Sequence, residues 1–272
     1  MENTEKVVLR EADSRAIAEF RLIDDTFMSA VFDGRIQETE LLLKIVLEKE
    51  DITVISSKAQ YYLSNIYGKE VRLDILARDS MGKAYNVEVQ KVLSGAPVQR
   101  ARFNGAMVDV TLLKKGQEYV EMPERYTIFI TEDDKFQMGL PAYHVENTVK
   151  ELDHAPLGDG SHIVYINGQY RNTDTPIGKL MHDFFCKKAE DMLNPLLKER
   201  VHYLKETEGG KKDMCEIMEG LMEQRVREKQ EILARKAIIR GKLTLEEIAE
   251  DYELPLEVVQ EIAEDSQKAV TA

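Results

Sequence analysis

The chain has 272 residues, 43% of them hydrophobic, and a formal net charge of −13. That length can bury one large core or two smaller ones, and no apolar run reaches the ~20 residues needed to cross a membrane. Cys186, Cys215 and five scattered histidines match no metal-ligand spacing, which argues against a histidine-based zinc site and for free thiols in a reducing cytoplasm. The opening Met1-Glu-Asn-Thr-Glu-Lys also lacks the basic and then apolar pattern of a signal peptide.

Ile17, Phe20, Ile23, Phe27 and Val31 recur at spacings of three and four and predict a helix over 12–32. A second helix is expected over 36–50, with Glu38 and Glu40 at its acidic start and Leu41, Leu42, Ile45 and Val46 as its stripe. Ile52-Thr-Val-Ile55 is strand-like but short, and 60–66 is ambiguous.

The most informative segment follows. Val71, Leu73, Ile75 and Ala77 alternate with Arg72, Asp74, Leu76 and Arg78, and Tyr85, Val87 and Val89 alternate with Asn86, Glu88 and Gln90. Between them lies Asp79-Ser-Met-Gly-Lys83, with Gly82 available for positive φ. A hairpin turn centred on Met81 sets Asp74 directly opposite Glu88, with Gln90 on the same face as Glu88. Two facing carboxylates about 5 Å apart repel. They need a cation, a shared proton or another register. The same residues would also suit the solvent face of an ordinary antiparallel sheet, with Arg72 and Arg78 as diagonal partners.

Beyond the hairpin, 99–113 predicts an amphipathic helix with Phe103, Met107, Val110 and Leu113 inward and Arg100 and Arg102 available to phosphate. Tyr126-Thr-Ile-Phe-Ile130 and His162-Ile-Val-Tyr-Ile166 read as strands. Asp174 as N-cap and Pro176 open a helix expected to run to about Glu206, where Glu208-Gly-Gly210 breaks it. Another long helix is expected over 211–240. Thr244 to Ile262 then has the form of a helix-turn-helix, with Thr244 and Glu247 as a capping box. Its second helix carries Glu257, Glu261 and Glu264 and no Lys or Arg, which is the wrong charge for reading DNA.

The order Asp74, then Glu88-Val-Gln90 one hairpin later, resembles the PD-(D/E)XK nuclease superfamily. Within it, the chain is most similar to the PD-(D/E)XK nuclease family transposases, or recombination-promoting nucleases. The resemblance runs through Ile23-Asp-Asp-Thr-Phe-Met-Ser-Ala-Val-Phe32, the helix from Glu38, the hairpin with Tyr85-Asn-Val-Glu-Val-Gln90, and the Arg-bearing helix from Gln99. It implies an α/β, restriction-endonuclease-like mixed sheet flanked by helices over 1–170, followed by a helical extension over 171–272. It also implies Mg²⁺-dependent DNA endonuclease chemistry, with Mn²⁺ as a substitute. Asp74 and Glu88 would be metal ligands, Gln90 would orient the attacking water, and Glu40 is a further candidate ligand. Two residues depart from the superfamily pattern: Leu73 stands where it has proline and Gln90 where it has lysine. DNA is the implied partner, with a homodimer through the helical extension left open.

The charge distribution accommodates that partner. Nine acidic residues and no basic ones fall in 246–265, whereas 69–115 carries nine Lys/Arg against five Asp/Glu and 225–242 is net +5. Placement rather than total charge steers a ligand.

Overall fold

A computed structural model describes residues 11–63, 70–113 and 116–271. Two helices, not one, carry the first apolar stripe: α1 (Glu11–Glu19) and α2 (Asp25–Phe32). The chain turns between them at 20–24, where the Asp24 carboxylate accepts the Arg21 backbone N–H at 2.6 Å. α3 (Ile36–Leu47) follows and ends at Glu48 in the left-handed region. β1 (Val54–Leu63) is longer than the 52–55 run suggested and takes in residues 60–63 of the ambiguous stretch; residues 64–66 lie outside the described residues.

β2 (Val71–Asp79) and β3 (Ala84–Gln90) form the expected hairpin, with Gly82 at φ 83°. Its register, Ile75 with Val87 through Arg78 with Ala84, is the one centred on Met81. α4 (Val98–Leu112) leads to β4 (Arg125–Thr131). Sequence periodicity gave no sign of β5 (Ala142–Glu146), a half-exposed strand; the two-residue strands β6 (Thr148–Val149) and β7 (Ala155–Pro156) pair with each other before β8 (Ser161–Asn167).

The main sheet has the order β1-β2-β3-β4-β8-β5. β1, β2 and β3 are mutually antiparallel, β3, β4 and β8 are parallel, and β5 returns antiparallel to β8. The carboxyl ends of β3, β4 and β8 therefore share one edge. α2 and α3 pack against β1, and α4 packs against β2, β3 and β4. The mixed α/β sheet flanked by helices is the architecture the sequence led us to expect.

The helical region is more broken than the sequence suggested. α5 (Pro176–Phe185) is capped by Thr175, not Asp174: the Thr175 hydroxyl accepts the Gly178 N–H at 3.1 Å. α6 (Pro195–Glu206) is separate, because the Asp183 carboxylate captures the backbone N–H groups of Leu193 and Asn194 and turns the chain. Glu208-Gly-Gly210 does not break a helix but begins one, α7 (Glu208–Arg240). Gly210 is needed there because a Cβ would meet the Tyr203 carbonyl at 1.9 Å. α8 (Leu245–Asp251) and α9 (Leu256–Thr271) follow, and Thr244 with Glu247 makes the expected capping box. No helix among the described residues is long and apolar enough to cross a membrane.

Up to Met214 the described residues, Glu70 excepted, form one compact unit, and Glu70 joins the residues from Cys215 onward in a second. This division does not fall at 170/171. α6 is held in the first unit: Lys205 donates to the Ala18, Phe20 and Lys187 carbonyls, and Arg200 donates to the Ala30 carbonyl at 2.7 Å. The second unit has its own small core, in which Ala234 and Ala237 of α7 meet Ile248, Leu254, Val259 and Ile262.

Candidate active site

Asp74 and Glu88 are buried, not solvent-facing, so the hairpin is not an ordinary sheet surface. The hairpin register, continued one step past Ile75 and Val87, sets the two across from each other. Asp74 Oδ2 accepts the Val89 N–H at 2.8 Å. Glu88 Oε2 takes the Arg100 guanidinium at 2.6 Å, and Glu88 Oε1 is buried with no hydrogen-bond partner among the described residues. Both acids titrate high. Burial, then the Glu88 and Asp25 charges, push Asp74 well above the usual carboxylate range. Burial pushes Glu88 up to about 7 despite the opposing Arg100 charge.

Asp25, at the start of α2, is therefore the early-helix acid that the site receives. Glu40 is engaged elsewhere, with Oε1 on Lys44 at 2.8 Å and Oε2 accepting the Val54 N–H at 2.9 Å, so it clips α3 to the start of β1. Its carboxyl is held below the usual range, chiefly by the Lys44 hydrogen bond. Asp25 in turn accepts Gln60 Nε2 at 2.7 Å. Sequence reasoning assigned no role to Asp25 or Gln60. The only available signal was the Asp pair inside the family-like segment from Ile23, and 60–66 had no clear period.

The connection after β3 builds the rest. Leu93–Gly95 forms a single 3₁₀ turn, and Pro97 then starts α4. This carries Arg100 back over the sheet, where it also donates to the Gly95 carbonyl at 2.9 Å and lies over the Phe129 ring. Arg100, expected on phosphate, is thus spent on Glu88. Arg102 is exposed and makes no ion pair among the described residues. Gln90 ends β3 on the Glu88 side, partly exposed, with its amide against Gly95; a Cβ on Gly95 would come within 2.1 Å of Gln90 Oε1. Lys91 turns to an ion pair with Asp24.

The donors gathered here are oxygens, three of them from the carboxylates of Asp25, Asp74 and Glu88, and one buried carboxylate oxygen lacks a partner among the described residues. That set suits a hard divalent cation such as Mg²⁺ or Mn²⁺. A second group, His182, Asp183 and Cys186, also has closely spaced ligand atoms. There the Asp183 carboxylate is saturated by Leu193 N, Asn194 N and Asn194 Nδ2, and burial pushes the Cys186 thiol up to about 11. That cluster fastens a chain turn.

A mixed sheet with two acids on adjacent strands and a polar residue two positions on defines the class: a PD-(D/E)XK nuclease fold. The family model of the PD-(D/E)XK nuclease family transposases matches residues 38–175, half of the chain. The chain belongs to that family. The match spans Asp74, Glu88 and Gln90 but neither Asp25 nor α5–α9. No curated protein and no solved structure matches the chain.

Proposed function

We propose that this protein is a divalent-metal-dependent DNA endonuclease acting in transposition or recombination, with Mg²⁺ as its cation and Mn²⁺ as a substitute. The observation that carries the reading is the orphaned Oε1 of Glu88 beside a second buried carboxylate, Asp74. A buried carboxylate oxygen without a donor is costly, and a second buried acid beside it adds to that cost. Asp74 and Glu88 would hold the cation. When bound, it supplies a water that ionises near neutral pH and offsets the charge gathering on the phosphoryl oxygens. Arg100 fixes the Glu88 rotamer through Oε2, and the unpartnered Glu88 carboxylate oxygen would be available to hold the cation. Gln90 accepts a hydrogen bond from the attacking water and donates one to a phosphate oxygen, and the water's proton goes to solvent because an amide is no base. Arg102, exposed on α4, is left for the DNA backbone.

The test is cleavage of supercoiled plasmid. Mg²⁺ or Mn²⁺ should support nicking, chelation should stop it, and Asp74→Ala or Glu88→Ala should reduce it by at least three orders of magnitude, an effect of ~4 kcal/mol on the barrier. Robust metal-dependent cleavage by either variant would overturn the assignment. Two observations favour a second reading, a DNA- or partner-binding protein that keeps the fold without chemistry. Gln90 supplies no positive charge, and the one guanidinium on Glu88 already neutralises half of the acidic pair. A wild type that binds DNA and metal yet stays inert would favour it.

A further inference from the structure

Gln60 lies within β1 with φ at 49°, in the left-handed region that residues other than glycine seldom adopt. Such strain persists where the surroundings over-determine it, and it gathers at functional sites. Here the amide provides the constraint. Nε2 donates to Asp25 Oδ1 at 2.7 Å and to Ser29 Oγ at 2.8 Å. Ser29 Oγ spends its own hydrogen on the Asp25 carbonyl at 2.9 Å, so toward Gln60 it accepts. Asp25 Oδ1, a carboxylate oxygen, is the other acceptor. The amide is therefore fixed with its NH₂ toward α2 and its carbonyl the other way. Gln60 is 9% exposed, and its Oε1 has no hydrogen-bond partner among the described residues.

The strand register gives that oxygen a context. Ala59 pairs with Ile75 and Tyr61 with Leu73, which sets Gln60 across from Asp74. The hairpin register then sets Asp74 across from Glu88. Three oxygen-bearing side chains thus form one row over three adjacent strands, and two of them, Gln60 and Glu88, each carry a buried oxygen without a donor.

We propose that Gln60 belongs to the cation site, its amide oxygen acting as a neutral ligand beside Asp74 and Glu88 while its NH₂ holds Asp25 alongside. This rests on the reading of Asp74 and Glu88 as metal-holding residues and adds a member that the acidic motif does not contain. A neutral oxygen adds a ligand without adding to the repulsion among three acids, and amide oxygens suit Mg²⁺ and Mn²⁺.

The experiment is calorimetric titration of the metal-free protein with Mn²⁺ alone, with no DNA present. Gln60→Gly accepts the same φ without strain and removes the oxygen, so it should fold as the wild type does by circular dichroism and bind Mn²⁺ ~10-fold or more weakly. Gln60→Glu keeps an oxygen at the same reach but cannot donate to Asp25 or Ser29; it should bind Mn²⁺ at least as tightly as the wild type. A residue that merely braced α2 would weaken binding in both variants alike. Equal affinity of Gln60→Gly and wild type, or parallel losses in the two variants, overturns the proposal. If Gln60→Gly does not fold, Gln60→Glu decides alone: weaker binding rejects the ligand role. Loss of Mn²⁺ binding in Asp74→Ala alongside an unaffected Gln60→Gly removes only this inference, whereas a wild type that binds no Mn²⁺ removes the metal site and this inference with it.

Discussion

One hairpin holds two kinds of buried acid. At its turn, Asp79 is saturated: Oδ1 accepts the Met81 and Lys83 N–H groups, each at 2.9 Å, and Oδ2 accepts the Tyr85 hydroxyl at 2.8 Å. At its open end, Asp74 Oδ2 accepts the Val89 N–H and Glu88 Oε2 the Arg100 guanidinium, while Glu88 Oε1 makes no hydrogen bond among the described residues. Both ends are equally dry. The difference lies in donors, and it separates acids that build the fold from acids that await something. Asp183, with three donors from Leu193 and Asn194, falls with Asp79.

The largest effect on stability should come from the saturated kind. Asp183→Ala strands three donors, two of them backbone N–H groups at the turn between α5 and α6. Each stranded donor costs ~1–3 kcal/mol, so the variant should lose at least ~3 kcal/mol in urea unfolding. A loss below ~1 kcal/mol would mean that saturation is no guide to structural weight.

The unsaturated kind should behave oppositely. Asp74→Asn keeps an acceptor for the Val89 N–H, removes one charge from the pair and gains an NH₂ suited to the orphaned oxygen. It should stabilise the metal-free protein at pH 8, read as a higher midpoint in urea unfolding, while ending metal-dependent cleavage. The same physics fixes a pH dependence. Burial raises both acids in the folded chain, so between the ordinary carboxylate range near 4 and the raised value of about 7 for Glu88 the folded state holds protons that the unfolded state has released. Stability contributed by the protonated pair is thus fully present below about pH 4 and lost as the pH rises from there through about 7. The wild-type melting temperature without metal should fall over that window, less so in Asp74→Asn, and recover on adding Mn²⁺. A profile that is flat, or that rises with pH equally in both proteins, would contradict the buried pair.

This contrast also explains what was legible in the sequence. The hairpin was readable because alternation has a period of two and a five-residue turn pins the register, so Asp74, Glu88 and Gln90 could be aligned without a structure. Asp25 and Gln60 were not, since their placement depends on α2 crossing β1 and on a left-handed residue inside a strand, neither of which leaves a periodic trace. Glu40 failed for a related reason: an acid near a helix start looks the same whether it faces a site or, as here, caps the first N–H of a strand. β5 escaped because its half-exposed residues lack a buried run. Glu208-Gly-Gly210 misled because glycine was needed for a close approach to Tyr203, not for a break.

The smallest effect should come from Gln90, which has no carboxylate and whose side chain makes no hydrogen bond among the described residues, with only Gly95 beside it. If it aligns the attacking water, its contribution appears in the transition state and not in binding. Gln90→Ala should then lower kcat about 10-fold, a barrier change of ~1.4 kcal/mol, with unchanged Kd for DNA measured in Ca²⁺. Gln90→Lys restores the superfamily's usual residue on the Glu88 face and should hold or raise the rate, since the ammonium adds charge next to the phosphate that the amide lacks. Single-turnover cleavage separates the outcomes. Rates unchanged by both substitutions would make Gln90 an ordinary strand-end residue, leaving Asp74 and Glu88 as the whole of the motif's chemistry.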